Sequence, residues 1–152
     1  MESMNITEAL IAEHTIFLGV FDQIERVLPS LATLTEVRTM ANIVEGMLRD
    51  HAETESNLAY LALDHVLQDQ GELQRMHQDH HEIDGRLKKV HTANTCAEAR
   101  RLLKAALLSS REHFHCEERS LFPLLEKVLQ PDTLAELGST WMQRSKARSS
   151  AV

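Results

Sequence analysis

A histidine and a glutamate four residues apart interrupt the apolar face of a segment that otherwise has the pattern of an amphipathic helix. The segment is HFHCEERSLFP at residues 113–123, and the pair is His113 and Glu117. At about 100° per residue the two side chains lie about 40° apart and one turn along, so both can point at one spot. His51 and Glu55 have the same spacing. Imidazole and carboxylate groups in this arrangement are suited to holding a metal ion.

Two further histidines interrupt apolar stripes in other segments. His14 stands between Leu10 and Phe17, and His80 stands before Ile83. A lone histidine on such a stripe is more often a hydrogen-bonded core residue, and an isolated pair is often on the surface. Six such groups on inner faces, however, would cost roughly 1–3 kcal/mol each if unpaired, which together is comparable with the stability of a whole domain. We therefore predict a dinuclear metal site, with terminal histidines and bridging glutamates, formed by His14, His51, Glu55, His80, His113 and Glu117.

The composition predicts an all-α protein. The 152 residues include only 5 glycines and 3 prolines, and the chain lacks β-branched runs and Asn-Gly hairpin signals. The 43% hydrophobic content is enough to build an ordinary core. We expect residues 1–152 to form a single domain.

Five helices are predicted from capping pairs in which an Asn, Asp or Thr is followed three positions later by Glu. Their short links predict an up-down-up-down antiparallel four-helix bundle over about residues 5–129, with a short fifth helix packed across one end. The pairs are Asn5/Glu8, Thr33/Glu36, Asp69/Glu72, Thr95/Glu98 and Thr133/Glu136. The predicted helices are 5–28, 34–66, 70–92, 96–129 and 132–147.

The two halves of the chain share a pattern. Residues 13–21 match 79–87 in an acid followed by a histidine, and residues 51–63 match 113–125 in the histidine and glutamate pair. The bundle is therefore predicted to be a doubled helical hairpin with a pseudo-twofold axis. Tyr60 occupies the place that Phe122 has in the other half, and we predict that it is a core aromatic residue.

Charge and hydropathy exclude several classes of partner. The net charge of −7 and the lack of a basic, aromatic-interleaved patch argue against nucleic acid. No apolar run approaches the roughly 20 residues that a membrane span needs. The 2 cysteines do not form a disulfide framework, which fits a reducing compartment, and we expect a cytoplasmic location. The oligomeric state is not legible, and a homodimer stays open.

The chain resembles the hemerythrin-like (HHE cation-binding) family over about residues 8–128. The resemblance is in the EH at 13–14, the HxxxE at 51–55, the DH at 79–80 and the HFHCEERSLFP at 113–123. It implies a non-haem centre of two iron ions, Fe2+ or Fe3+, with an oxo or hydroxo bridge, inside a four-helix bundle. The implied ligands are His14, His51, Glu55, His80, His113 and Glu117. Manganese and zinc suit the same ligand types.

A seventh ligand is predicted on the third helix. Oxygen-carrying members of the family have five histidines, and here the fifth place is contested between His77 and His81. His77 lies about 60° from His80, whereas His81 lies about 100° away and further from the apolar stripe. We therefore favour His77. If neither binds, both irons would keep open positions and the site would suit redox reactivity better than reversible oxygen carriage.

The resemblance implies several functions. Our first hypothesis is a redox-active di-iron protein that binds or reacts with dioxygen, hydrogen peroxide or nitric oxide, including an enzyme that consumes peroxide. The second is a sensor or buffer of iron or another divalent cation, without turnover, whose bundle stability depends on occupancy. Family members also repair iron-sulfur clusters. The remaining alternative is a structural bundle in which the histidines are incidental.

Overall fold

The computed structural model describes residues 3–67 and 71–151 of the chain. Every regular element within these ranges is helical, and neither range contains a strand, which confirms the all-α prediction. None of the described helices combines the length and apolarity needed to cross a membrane. The α-helices are α1 (Ile6–Val27), α2 (Leu34–Glu55), α3 (Leu61–Asp64), α4 (Gly71–Thr92), α5 (Cys96–Cys116), α6 (Phe122–Val128) and α7 (Pro131–Ser150).

Two of the predicted helices contain a short π-helical turn. Turn π1, Ser56–Tyr60, joins α2 to α3, and turn π2, Glu117–Leu121, joins α5 to α6. Hydrogen bonds in a π-helix link residues five apart, so one extra residue is accommodated and the following side chains rotate. π1 begins directly after the first histidine and glutamate pair, and π2 begins at the glutamate of the second. The two halves therefore share this irregularity beside the candidate site.

Three predicted N-caps are confirmed. The side chain of Asn5 accepts from the backbone N–H of Glu8 at 2.9 Å, and the Glu8 carboxylate accepts from the backbone of Asn5 at 2.9 Å, which completes a capping box at α1. Thr33 and Thr95 accept from the N–H three residues ahead and cap α2 and α5. Asp69, predicted to cap the third helix, lies outside the described residues.

The C-terminal helix is longer than predicted. α7 has 20 residues, so it is not a short helix. It begins at Pro131, where the missing N–H costs nothing, with Gln130 at the N-cap position. Thr133 is consequently inside the first turn, and the predicted Thr133 cap is wrong. α7 packs chiefly against α1.

The apolar core is divided into two clusters. The Phe21 cluster and the Leu63 cluster are named after two fully buried members. The candidate site lies between them along α1 and α4, and where α2 and α5 pass into π1 and π2. Helix α1, for example, passes from Leu10 in the Leu63 cluster, through His14, to Phe21. Other members of the Phe21 cluster are Val44, Leu87 and Leu103, and other members of the Leu63 cluster are Met76, Phe122 and Leu125. The layer between two apolar clusters excludes water from the polar side chains that it contains.

Candidate metal centre

Six of the seven predicted ligands meet in this middle layer. Helices α1 and α4 each supply one histidine, and the end of α2 supplies His51 with Glu55. His113 lies at the end of α5, and Glu117 begins π2. Both glutamates are 0% exposed, and the least buried of the six is His80, at 16%. The six are His14, His51, Glu55, His80, His113 and Glu117. This burial agrees with the argument that so many polar groups inside a bundle need a compensating partner.

The first group of ligand atoms comes from His14, His51, Glu55 and Glu117, one atom from each, all within 4.8 Å of one another. The Nε2 atoms of His14 and His51 lie 3.1 Å apart. The Nε2 atom of His51 lies 3.3 Å from Oε2 of Glu55, and that of His14 lies 3.5 Å from Oε1 of Glu117. Two imidazole nitrogens and two carboxylate oxygens thus converge on one point.

The second group comes from Glu55, His80, His113 and Glu117, with the same 4.8 Å limit. The Nε2 atom of His80 lies 3.1 Å from Oε1 of Glu55, and that of His113 lies 3.0 Å from Oε1 of Glu117. Glu55 therefore presents one oxygen to each group, and Glu117 presents the same oxygen to both. This geometry can form two cation positions that share two carboxylates.

Several inward atoms of the centre have no hydrogen-bond partner among the described residues. They are both carboxylate oxygens of Glu55, Oε1 of Glu117 and Nε2 of His113. A buried polar atom without a partner costs about 1–3 kcal/mol. Because these atoms are acceptors or lone-pair donors that face one another, a cation between them compensates all of them together. The residues present therefore fit a metal pair.

Two acidic side chains support the histidines from outside. Oε1 of Glu13 lies 3.0 Å from Nδ1 of His51, and Oδ2 of Asp79 lies 3.2 Å from Nδ1 of His113. When Nδ1–H donates to a carboxylate, the ring is fixed in the tautomer whose Nε2 lone pair faces the centre. Each acid stands one residue before a predicted ligand of its own half. The contact is therefore repeated by the pseudo-twofold relation between the halves.

Burial and neighbouring charges together set the electrostatics of the site. Burial, with a smaller effect of the charge on His51, lowers the pKa of His14 to about 4. Burial also disfavours the imidazolium of His51, but Glu55 and Glu13 outweigh it and raise that pKa to about 10. Burial and the charge on Glu55 raise the pKa of Glu117 to about 7. At neutral pH His51 therefore holds a second ring proton, which a cation bound at its Nε2 must displace.

Tyr60 is a member of the site. Its hydroxyl donates to Oε2 of Glu117 at 2.8 Å, and its ring stacks on His80 with centroids 5.6 Å apart. Burial and the nearby carboxylates raise the pKa of Tyr60, so it stays a neutral donor. In the other half Phe122 stacks on His14 at 5.5 Å but has no hydroxyl. Tyr60 is a buried aromatic residue, as predicted, and it also makes the two halves of the centre unequal.

Tyr60→Phe should destabilise the metal-free protein by about 1–3 kcal/mol, because Oε2 of Glu117 loses its donor while the ring packing is kept. Urea unfolding followed by circular dichroism measures the difference. Tyr60→Leu, which loses the ring as well as the hydroxyl, is the comparison that separates the hydrogen bond from the ring packing. A Tyr60→Phe variant as stable as the parent would show that the hydroxyl makes no useful contact with Glu117.

His77, the seventh predicted ligand, is not brought together with the other six. It is exposed on α4, and its ring meets the edge of Tyr60 with centroids 5.0 Å apart. The alternative, His81, is exposed as well. Neither belongs to the two groups found among the described residues. Each group therefore offers two histidines and two glutamates.

A scan against protein-family models matched residues 5–135 to Hemerythrin, described as the hemerythrin HHE cation binding domain. The chain belongs to the hemerythrin family. This confirms the resemblance found in the sequence, and it makes cation binding the common property of the domain. Comparisons with curated proteins and with solved structures gave no match. The match ends at residue 135, within the first turns of α7. The contacts that the rest of α7 makes therefore lie outside the matched residues.

Sequence reasoning missed the roles of Glu13, Asp79 and Tyr60. The acid before each single histidine was visible as a repeated pattern, and that repetition was the available signal. Tyr60 was harder to assign, because a residue five places after Glu55 points about 140° away in an α-helix. A π-turn links residues five apart and brings Tyr60 back towards the face of Glu55.

Proposed function

We propose that this hemerythrin-family chain holds two iron ions between His14, His51, Glu55, His80, His113 and Glu117, and that the centre binds or reacts with a small oxidant. The observation that carries the proposal is that the same two carboxylates belong to both ligand groups. When bound, two ferrous ions would supply the two electrons that, with two protons from solvent, reduce one hydrogen peroxide to two water molecules and leave both ions ferric. The family match supports a cation. Iron is our inference from the hemerythrin resemblance, and the pairing is our inference from the two carboxylates that both ligand groups share.

The number of ligands supports reactivity. Each group contributes four donor atoms, and iron commonly accepts six, so each position would have room for a further molecule. His77 and His81 are exposed and do not reduce that number. A centre with room at both positions suits redox chemistry better than reversible oxygen carriage.

A cavity supports access by a small molecule. It has a volume of about 320 Å³ and touches His51, His80 and His113. Its walls are largely apolar and include Ile83, Phe114, Leu48 and Leu87. Because apolar walls bind water weakly, an uncharged oxidant such as peroxide or dioxygen can enter without displacing tightly held water.

The cavity has an origin in the sequence. In one half, Phe114 follows His113 and stacks on His14 at 4.0 Å. In the other half the equivalent residue, after His51, is Ala52, which lines the cavity. A methyl group in place of a phenyl ring leaves space near His80. The second ligand group is therefore the one that we propose meets the oxidant.

The order in which the helices pass the two core clusters supports an up-down-up-down bundle. Along α1 and α4 the chain passes from the Leu63 cluster to the Phe21 cluster. From α2 through π1 to α3, and from α5 through π2 to α6, it passes in the opposite order. Successive helices that cross the same layers in opposite directions are antiparallel neighbours. This topology would bring four helices to one metal pair.

The test is iron loading under anaerobic conditions followed by peroxide. We expect about two irons per chain, as a dinuclear bundle site implies, new near-ultraviolet absorption on oxidation, and peroxide loss faster than with the same amount of free iron. Denatured protein with equal iron is the control. A single iron per chain would contradict the shared centre.

A cation sensor or buffer is the second candidate. It is favoured by the origin of the ligands, because they come from four separate helices and cation binding must therefore stabilise the bundle. In this case the melting temperature rises with metal, while peroxide loss stays at the level of free iron. The same samples therefore distinguish the two functions.

A further inference from the structure

The C-terminal helix α7 reaches the candidate ligand His51 through one acidic side chain. The indole N–H of Trp141 donates to Oε1 of Glu13 at 3.1 Å, and the same oxygen lies 3.0 Å from Nδ1 of His51. Trp141 lies beyond residues 5–135, the range of the family match. The contact is therefore a property of this chain that the family assignment does not cover.

Two other contacts of α7 fix its position. A Cβ atom on Gly138 would overlap the backbone of Met4 and Asn5, so the absence of a side chain lets α7 approach the start of α1 closely. Further along, a guanidinium nitrogen of Arg148 donates to the hydroxyl of Thr54 at 2.6 Å. Thr54 is buried and stands directly before Glu55. Trp141 lies between these two contacts, so its indole is held against α1.

The equivalent acid in the other half has no such support. Among the described residues, the hydrogen bond found for Asp79 is the one with His113. Its side chain is 28% exposed and borders a cavity that also contains Arg75 and Glu112, whereas Glu13 is 18% exposed. The two acid and histidine pairs therefore repeat in sequence and differ in surroundings.

A carboxylate with two donors on one oxygen is held in one orientation. The indole of Trp141 fixes Glu13, and Glu13 then fixes the ring and the tautomer of His51. The Nε2 lone pair of His51 is thereby kept towards Glu55 and His14 before any cation arrives. A ligand oriented in advance loses less entropy when the cation binds.

We propose that Trp141 is a positioning residue for His51, so that α7 strengthens cation binding at the His14 and His51 position relative to the His80 and His113 position. The inference rests on the proposed two-position centre. Because linkage is reciprocal, a cation at the first position also strengthens the docking of α7. A helix that lies mostly beyond the family match would thus regulate one half of the centre.

The first test needs no metal. Trp141 is the only tryptophan, so its indole N–H gives a single resonance in the metal-free protein labelled with nitrogen-15. Glu13→Gln should shift that proton upfield, because an amide oxygen is a weaker acceptor than a carboxylate. The matched control is Asp79→Asn, which changes the equivalent acid and should leave the resonance in place. An indole resonance that Glu13→Gln does not move would overturn the proposal.

The second test is titration of the metal-free protein with cobalt(II), followed by visible absorption. Trp141→Phe keeps an aromatic ring in place. It should lower the cobalt affinity of the His14 and His51 position by about tenfold, and the absorption spectrum of that position alone should change. Asp79→Asn should weaken the other position. Two cobalt ions bound by Trp141→Phe with parental affinities and spectra would overturn the proposal. A parent that binds no cobalt would refute the two-position centre and, with it, this inference.

Discussion

Removal of Glu117 is expected to abolish cation binding at both positions. Its Oε1 lies 3.0 Å from Nε2 of His113 and 3.5 Å from Nε2 of His14, so one atom serves both ligand groups. In Glu117→Ala each group falls from four donors to three, and the affinity should fall by more than about a hundredfold. Iron per chain after desalting, measured by plasma emission, should fall from about two to near zero. Glu55→Ala should give the same result.

The control for Glu117→Ala is the next residue along the chain. Glu118 also lies in π2, its side chain is 34% exposed, and its carboxylate is 3.7 Å from Nδ1 of His14, yet it belongs to neither group. Glu118→Ala should keep the full iron content. Equal iron in Glu117→Ala and Glu118→Ala would mean that the shared carboxylate is not a ligand.

Filling the cavity beside His80 is expected to block the reaction with peroxide while both irons stay bound. Ala52→Phe places a ring in the space of about 320 Å³ that borders His51, His80 and His113. None of the six candidate ligands is changed, so the iron content should be that of the parent. The rate of peroxide loss should fall by at least about tenfold, a barrier increase of about 1.4 kcal/mol.

The matched control changes the volume of the same cavity in the opposite direction. Leu48→Ala enlarges the space without touching a candidate ligand, and the rate of peroxide loss should not fall. Stopped-flow absorption with equal iron loading compares the variants. If Ala52→Phe reacts as fast as the parent, the oxidant reaches the centre by another route.

The meeting of the six candidate ligands was predictable from sequence because two physical rules act together there. Helical spacing places His51 with Glu55 and His113 with Glu117 on one face, and the cost of burying polar groups demands that they meet a partner. Both rules use local information. The same holds for the cap at Asn5, since its contact is only three residues away.

The exposed position of His77 shows the limit of angular arguments. Its 60° separation from His80 was smaller than that of His81, but the buried face of α4 follows Leu73, Met76, His80 and Ile83 at alternating spacings of three and four. His77 stands outside that row and faces solvent. The row as a whole, and not the angle to one ligand, decides which side is buried.

Contacts between distant segments could not be predicted from spacing. Trp141 and Glu13 are 128 residues apart, and they meet only because the bare backbone at Gly138 lets α7 lie close to α1. The π-turns were hidden as well, since no residue type specifies them. They change the direction of Tyr60 in a way that a regular 100° rotation does not describe.

Each ligand group contains one glutamate from the other half of the chain, and this has a consequence for how the centre assembles. In the proposed centre the first half of the chain would supply three donors to one cation position and Glu55 to the other, and the second half would supply Glu117 to the first position. Neither half alone would supply all four donors of a position. If the two halves were separate chains, they would have to associate by diffusion. The peptide link keeps each half at a high effective concentration relative to the other. Because the two halves are joined in one chain, they do not have to be identical. One half can therefore carry Tyr60 where the other carries Phe122.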